Sequence, residues 1–233
     1  MKKKILFCLL MTMALIVMTG CDKTRQSALD FKEEYESVNG KVIRDDIKYR
    51  TLTIDEENPY VKVSPSDIVK KIENKETFYL YVGDSLCPWC RSGLEKMIEV
   101  AKNKGIKDIY YIDFWDDEHN EILRDLYEVQ DGKVVNTREA SSDYLKIVEA
   151  VKDYIQDYTL TSDDKTYEVG VKRIFGGDHF YFNKGKCERY VSLRSAKLAK
   201  ANDELTEEVL KDQEETFTKL FMNSNMCTGE ENC

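Results

Sequence analysis

The sequence predicts an α/β fold centred on a strand–helix–strand unit. Residues 77–82 are β-branched and aromatic, which is typical of a buried strand. Within 94–101, apolar residues recur at i, i+3, i+4 and i+7, as in an amphipathic helix, and 109–112 form a second apolar run. A helix that connects two strands of one sheet forms a right-handed crossover between parallel strands. We therefore expect these two strands to be parallel.

Caps, turn residues and alternating polarity predict the other elements. Ser64 before a proline, Ser141 and Thr206 are typical helix N-caps, and the turn at 183–186 lies between two strand-like runs. In chain order, these signals predict a helix at 29–38, a strand at 49–54, a helix after Ser64, an acidic loop at 113–120, a helix at 121–127, a surface excursion at 130–138, a helix after Ser141, short strands at 158–160 and 165–173, a hairpin at 179–193 and a last helix after Thr206.

The motif Cys87-Pro88-Trp89-Cys90 lies where the first strand gives way to the helix. Two cysteines at this spacing can cycle between dithiol and disulfide, and a helix N-terminus favours the thiolate of Cys87. Zinc would need a second pair of ligands, and the only histidines, His119 and His179, are single and far apart in sequence. We therefore predict a redox pair and no metal, with Cys87 attacking a disulfide and Cys90 resolving it.

The N-terminus predicts export. Residues 2–4 are lysines, and the apolar run 5–17 is short for a transmembrane helix. The segment Met18-Thr19-Gly20-Cys21 resembles a bacterial lipobox, in which the cysteine is acylated and becomes the mature N-terminus. We predict a lipoprotein signal peptide at 1–20, lipid attachment at Cys21 and a place on the extracytoplasmic face of the cell membrane. An uncleaved signal anchor is the alternative.

Export changes the expectation for the other cysteines, because exported cysteines tend to pair. Cys227 and Cys233 flank a polar loop at the chain end, and we predict a structural disulfide between them. Two free thiols on the tail are the alternative. Cys187, in a strand-like stretch, is expected to act as a small buried hydrophobic residue.

The charge of the chain limits its partners. The net charge of −9 becomes −12 once the three signal lysines are removed. Such an acidic chain is unsuited to binding nucleic acid, and it gains no electrostatic attraction to anionic lipid. Attachment to the membrane would therefore depend on the acyl chains.

The predicted order of elements, with CxxC opening the first long helix, resembles the thioredoxin fold. More narrowly, the chain resembles the thioredoxin-like lipoproteins of Gram-positive bacteria. The similarity spans most of residues 50–195, and the CPWC core is its most specific part. The matching segments are Glu57-Asn58-Pro59-Tyr60, Cys87-Pro88-Trp89-Cys90-Arg91, Ile109-Tyr110-Tyr111-Ile112-Asp113, Asp157-Tyr158-Thr159-Leu160-Thr161 and Lys172-Arg173-Ile174-Phe175.

The chain departs from the family pattern at two places. Thioredoxins carry a cis-proline before the hairpin, and that position falls on Gly177, where we expect a trans bond. The resemblance makes Trp89 and Gly177 the substrate-docking residues, and proline at 177 is expected to raise turnover if the loop tolerates it. The buried acid of thioredoxins aligns with Tyr81. Water, Asp84 or Tyr81 would then carry the proton of Cys90.

The resemblance implies a lipid tether and extension at 21–60, a thioredoxin-like domain with a C-terminal helix at 61–225 and a cysteine-containing tail at 226–233. It also implies a membrane-anchored thiol–disulfide oxidoreductase that needs no cofactor. Its partners would be proteins bearing disulfides or dithiols and a redox partner at the membrane. A non-catalytic binding lipoprotein with a structural CxxC disulfide is one alternative, and a metal- or haem-handling accessory protein is another.

Overall fold

The computed structural model describes residues 25–45, 47–116 and 120–222. The predictions for the signal peptide, Cys21, the tail, Cys227 and Cys233 lie outside these residues. Along the chain the elements are α1 (described over 25–36), β1 (Val42–Arg44), β2 (Ile47–Lys48), β3 (Tyr60–Lys62), α2 (Pro65–Glu73), β4 (Phe78–Gly83), α3 (Pro88–Asn103), β5 (Ile109–Asp113), β6 (Leu126–Gln130), β7 (Lys133–Arg138), α4 (Ser142–Val151), β8 (Asp157–Ser162), β9 (Lys165–Lys172), β10 (Asp178–Asn183), β11 (Lys186–Ser192) and α5 (Glu207–Leu220).

The centre of the fold is a mixed five-stranded sheet in the order β11-β10-β4-β5-β3. Strands β4 and β5 are parallel and joined by α3, with Leu80 opposite Tyr110, so the predicted strand–helix–strand unit is confirmed. The predicted hairpin β10–β11 is confirmed as well, and it adds to β4 in the antiparallel sense. The α/β class of the prediction is therefore correct.

Helices cover both faces of this sheet. Alternate residues of β4 face opposite sides, since Tyr79 and Tyr81 belong to one hydrophobic cluster and Leu80 and Val82 to the other. The first cluster includes residues of α1, α3 and α5, and the second includes residues of α2 and α4. Helix α1 is part of this core, because the ring of Phe31 stacks on that of Tyr60 with centroids 4.3 Å apart.

Three predicted helix starts are confirmed by their capping geometry. The side chains of Ser64, Ser141 and Thr206 each accept a hydrogen bond from the backbone N–H three residues further on. Each cap satisfies a donor that the first turn of a helix leaves without a partner. In the part of the chain that the structure describes, no helix has the length and apolar character needed to cross a membrane.

The predicted strand at 49–54 is wrong. This segment is extended, and Leu52 and Ile54 are buried, which explains its strand-like pattern. Tyr49 exchanges backbone hydrogen bonds with Gly40 and Lys41, but the N–H groups of Leu52 and Ile54 donate to side chains rather than to a neighbouring strand. The N–H of Leu52 donates to Asn39 Oδ1 at 3.0 Å, and the N–H of Ile54 donates to Glu36 Oε1 at 2.7 Å.

The predicted helix at 121–127 is wrong, whereas the predicted surface excursion at 130–138 is exposed or half-buried along its length, as expected. Strands β6 and β7 form a hairpin there. Its two-residue turn is Asp131-Gly132, whose φ angles are 52° and 74°. Positive φ at both central residues is the type I′ geometry that Asp-Gly favours, so the sequence does carry a local signal for this hairpin.

Candidate functional site

The two motif cysteines occupy different places at the start of α3. Cys87 is the N-cap residue, and its Sγ accepts a hydrogen bond from the N–H of Cys90 at 3.2 Å. Pro88 follows at the first helical position, where its fixed φ suits the helix. Both cysteines are free thiols, and Cys87 is half-buried while Cys90 is fully buried. The more accessible sulfur is therefore the one that lies at the helix N-terminus.

The surroundings of Cys90 keep its thiol protonated. Burial raises its pKa well above the ordinary value, and the hydrogen bond and charge of Cys87 and the charge of Asp84 act in the same direction. A buried thiol next to an accessible one divides the pair into two chemical roles. The outer sulfur can attack first, and the inner one needs a proton acceptor before it can act.

Asp84 lies close enough to be that acceptor. It is 8% exposed, and burial together with the charge of Asp113 raises its pKa to about 6. One carboxylate oxygen of Asp84 and the sulfurs of Cys87 and Cys90 all lie within 4.8 Å of one another. The structure thus brings Asp84 to the pair, although Asp84 lies just beyond the last residue of β4.

Tyr81, the position aligned with the buried acid of thioredoxins, is engaged elsewhere. Its hydroxyl shares a 2.7 Å hydrogen bond with the hydroxyl of Tyr35. Burial and the nearby charge of Cys90 raise the pKa of Tyr81 well above 10. Such a group does not accept a proton near neutral pH, which leaves Asp84 as the acceptor of the two side chains considered.

The glycine that faces the sulfurs is Gly176 rather than Gly177. A Cβ at Gly176 would lie 3.0 Å from Sγ of both Cys87 and Cys90. Gly177 instead has φ of +102°, and its N–H donates to the carbonyl of Val82 at 3.0 Å. No peptide bond among the described residues is cis, as expected.

The condition for a benefit of proline at 177, that the loop tolerates it, is not met. Proline fixes φ near −65° and has no N–H to donate. The observed φ of Gly177 is far from that value, and the bond to Val82 joins this loop to the end of β4. Proline there would break the loop rather than restore a docking edge.

Trp89 lines a groove beside the cysteine pair. The groove has a volume of about 590 Å³, and its walls include Pro88, Ile43 and Ile47, together with residues 199–203. The guanidinium of Arg194 lies 4.5 Å from the centre of the Trp89 ring, and this cation–π contact favours the observed position of the ring. The predicted docking residue therefore lies on a surface that reaches from the motif to the β1–β2 hairpin.

Arg91 is the functional-site residue that the sequence reading missed. It is 1% exposed, and all its hydrogen-bond acceptors in the described residues are uncharged. Its guanidinium donates to the carbonyls of Arg50, Tyr35 and Ser85 and to the side chain of Asn39. Arg91 thus joins the end of α1 and the extended segment to the loop that carries Cys87. A sequence signal exists, since Arg91 lies three residues before the apolar stripe that begins at residue 94.

His179 lies on the strand face, in the core behind the site. Its Nδ1 donates to the carbonyl of Gly177 at 3.1 Å, and its Nε2 accepts from the hydroxyl of Tyr60 at 2.9 Å. Burial lowers the pKa of His179 to about 3, so the ring is neutral at physiological pH. Cys187 is also buried, as expected, and burial raises its pKa to about 12.

The neutral state of His179 predicts a loss of stability in acid. An unfolded histidine takes up a proton below pH 6.5, whereas the buried ring does so only near pH 3, so the folded state loses stability as the pH falls through this window. The full effect is on the order of 4 kcal/mol. Replacement of His179 by glutamine removes this titration. Between pH 6.5 and pH 3.5, the free energy of unfolding in urea should therefore fall less for His179→Gln than for wild type, and parallel curves would contradict this assignment.

The arrangement as a whole suits sulfur chemistry. It combines an accessible sulfur at a helix N-terminus, a buried sulfur one turn further on and a carboxyl group near both. These parts suit thiol–disulfide exchange, in which a partner disulfide or dithiol accepts or supplies the two electrons. No family model matches the chain, and no curated protein matches its sequence.

Proposed function

We propose that this protein is a thiol–disulfide oxidoreductase with a thioredoxin-like fold. The observation that carries the proposal is the asymmetry of the pair, in which Cys87 is accessible at the N-terminus of α3 and Cys90 is buried. Lipid attachment at Cys21 would hold the domain at the extracytoplasmic face of the membrane. The parallel β4–α3–β5 unit and the antiparallel β10–β11 hairpin support the choice of fold.

The reaction begins at Cys87. Its thiolate attacks one sulfur of a substrate disulfide, so that a Cys87–substrate bond forms as the substrate S–S bond breaks. The substrate sulfur that leaves carries the electron pair and takes a proton from solvent. The product of this step is a mixed disulfide at the half-buried position of the pair.

The second step uses Cys90 and Asp84. The Cys90 thiol transfers its proton to the Asp84 carboxylate and attacks the Cys87 sulfur, which releases the second substrate thiol. Two electrons have then passed from the pair to the substrate, and a partner at the membrane restores the dithiol. A carboxyl group with a pKa of about 6 suits this transfer near neutral pH. The reverse sequence oxidises a substrate dithiol.

The surface around Cys87 suits a polypeptide substrate. Because residue 176 is glycine, it places backbone without a side chain against the sulfurs. The groove bounded by Trp89 and Ile47 begins at the motif and is large enough for several side chains. We therefore assign the docking role to Trp89 and to the backbone of Gly176.

Disulfide reduction by the whole protein tests this proposal. The full chain in mild detergent should accelerate the reduction of insulin by dithiothreitol well above the rate with dithiothreitol alone. It should also change the rate at which scrambled ribonuclease regains activity in a glutathione buffer. Cys187→Ser serves as the matched control, because this thiol is buried in the hairpin, and it should leave both rates unchanged. No activity at any redox poise would favour the non-catalytic binding lipoprotein instead.

A further inference from the structure

The cysteine pair and Asp84 form a three-ligand cluster. One carboxylate oxygen and two sulfurs lie within 4.8 Å of one another. Zinc is bound by thiolate sulfur at about 2.3 Å and by carboxylate oxygen at about 2.0–2.2 Å in tetrahedral sites. We propose that the reduced protein binds one Zn²⁺ ion through Asp84, Cys87 and Cys90.

This site differs from the expectation that the sequence raised. The absence of metal was inferred from the lack of a second ligand pair near the motif. Asp84 comes three residues before Cys87 and supplies the third ligand through the bend after β4. Two thiolates with one carboxylate leave a fourth position for water, as in zinc sites that are open to solvent.

Gly176 places backbone without a side chain against the two sulfurs. Any other residue there would place its Cβ 3.0 Å from both sulfurs and would crowd them. Residue 176 therefore contributes no side chain that would compete for a bound ion.

The charges around the cluster also favour a cation. Asp84 lines a solvent-connected pocket of about 220 Å³ together with Glu34, Asp113 and Asp116. Lys62 is the cation in this lining, and it is already paired with Glu34 and Asp113, at 3.0 and 3.4 Å. The guanidinium of Arg91 donates to carbonyls, and that of Arg124 lies 3.7 Å from the centre of the Phe114 ring. Both groups keep their positive charge, but with Lys62 they are outnumbered by the four carboxylates of the pocket lining.

Zinc binding requires the reduced state of the Cys87–Cys90 pair. It does not itself change the oxidation state of the sulfurs. The ion displaces a proton from each thiol and becomes bonded to both sulfurs, and no electron is transferred. A Cys87–Cys90 disulfide has no thiolate to offer, so the oxidised protein cannot form this site. The inference uses the cysteines of the proposed oxidoreductase, but it requires neither a substrate nor a redox partner.

A zinc titration of the reduced chain tests the site. The full chain would carry serine at Cys8, Cys21, Cys227 and Cys233, so that only Cys87, Cys90 and the buried Cys187 remain. Titration with zinc chloride under anaerobic conditions, against a competing chromophoric chelator, should show one tightly bound ion per chain. Cobalt(II) in its place should give the absorption bands of tetrahedral thiolate coordination.

Variants identify the ligands. Cys87→Ser or Cys90→Ser should weaken zinc binding by roughly 100-fold or more, and Asp84→Asn by roughly tenfold or more. Asp116 lines the same pocket but is not one of the three ligands. The variant Asp116→Asn should therefore bind zinc like the parent chain. Oxidation with diamide should abolish binding.

Several results would overturn the inference. Binding that survives oxidation or Cys87→Ser would place the ion elsewhere. If Asp84→Asn bound zinc as tightly as the parent chain, or if the protein bound Cu⁺ but not Zn²⁺, the ligands would be the two sulfurs alone. Disulfide exchange without zinc binding would remove this inference and leave the proposed function. Zinc binding in a chain inactive in exchange would do the opposite.

Discussion

Replacing Cys87 with serine is expected to lower disulfide exchange to the background rate of the assay, whereas replacing Cys90 with serine is expected to trap a mixed disulfide. Cys87 is the accessible sulfur at the N-terminus of α3, so its loss removes the attacking thiolate. Cys90 is buried beside it, so its loss leaves the first step intact and removes the resolving thiol. Insulin reduction measures the first effect, and non-reducing electrophoresis with mass spectrometry detects the trapped adduct.

The two variants also control for one another. A general defect in folding would lower activity in both and trap nothing. Activity unchanged in Cys87→Ser would remove the oxidoreductase proposal. An adduct trapped by Cys87→Ser instead of Cys90→Ser would reverse the two roles.

Replacing Arg91 with methionine is expected to lower the free energy of unfolding by about 3–5 kcal/mol. Methionine keeps the length and much of the volume of the arginine stem, so the loss comes mainly from hydrogen bonds. The carbonyls of Tyr35, Arg50 and Ser85 would lose this buried donor. Because Ser85 precedes Cys87 by two residues, disulfide exchange should slow as well.

Urea denaturation of the two proteins at pH 7 measures this effect. Arg138→Met is the matched control. The Arg138 side chain is 37% exposed, and its Nη2 lies 3.6 Å from Oε2 of Glu121. That replacement should cost about 1 kcal/mol or less. A similar small loss in Arg91→Met would show that the buried guanidinium does not join the N-terminal segment to the cysteine loop.

The features that sequence predicts correctly here are local ones. The strand–helix–strand unit, the position of the motif at a helix start and the caps at Ser64, Ser141 and Thr206 each depend on residues within a few positions of one another. Periodicity and capping chemistry act over this range, so these elements can be derived without knowledge of the rest of the fold.

The errors arise where distant residues decide the outcome. Residues 49–54 alternate like a strand, but the side chains of Glu36 and Asn39 satisfy their backbone. The family pattern puts the docking position at Gly177. A one-residue difference in the loop places Gly176 against the sulfurs instead. Arg91 continues the apolar stripe of α3, but its charge argues against burial, and the carbonyl of Tyr35 at the end of α1 supplies one of the acceptors that the buried guanidinium needs.

The two tryptophans of the chain give this site its own optical signal. Trp89 is part of the motif, and Trp115 lines the pocket that also contains Asp84. Disulfides quench the emission of nearby indole rings, whereas thiols do so less. The tryptophan fluorescence of the protein therefore originates at the motif and at the pocket of Asp84, and it reports the state of the cysteine pair without a label.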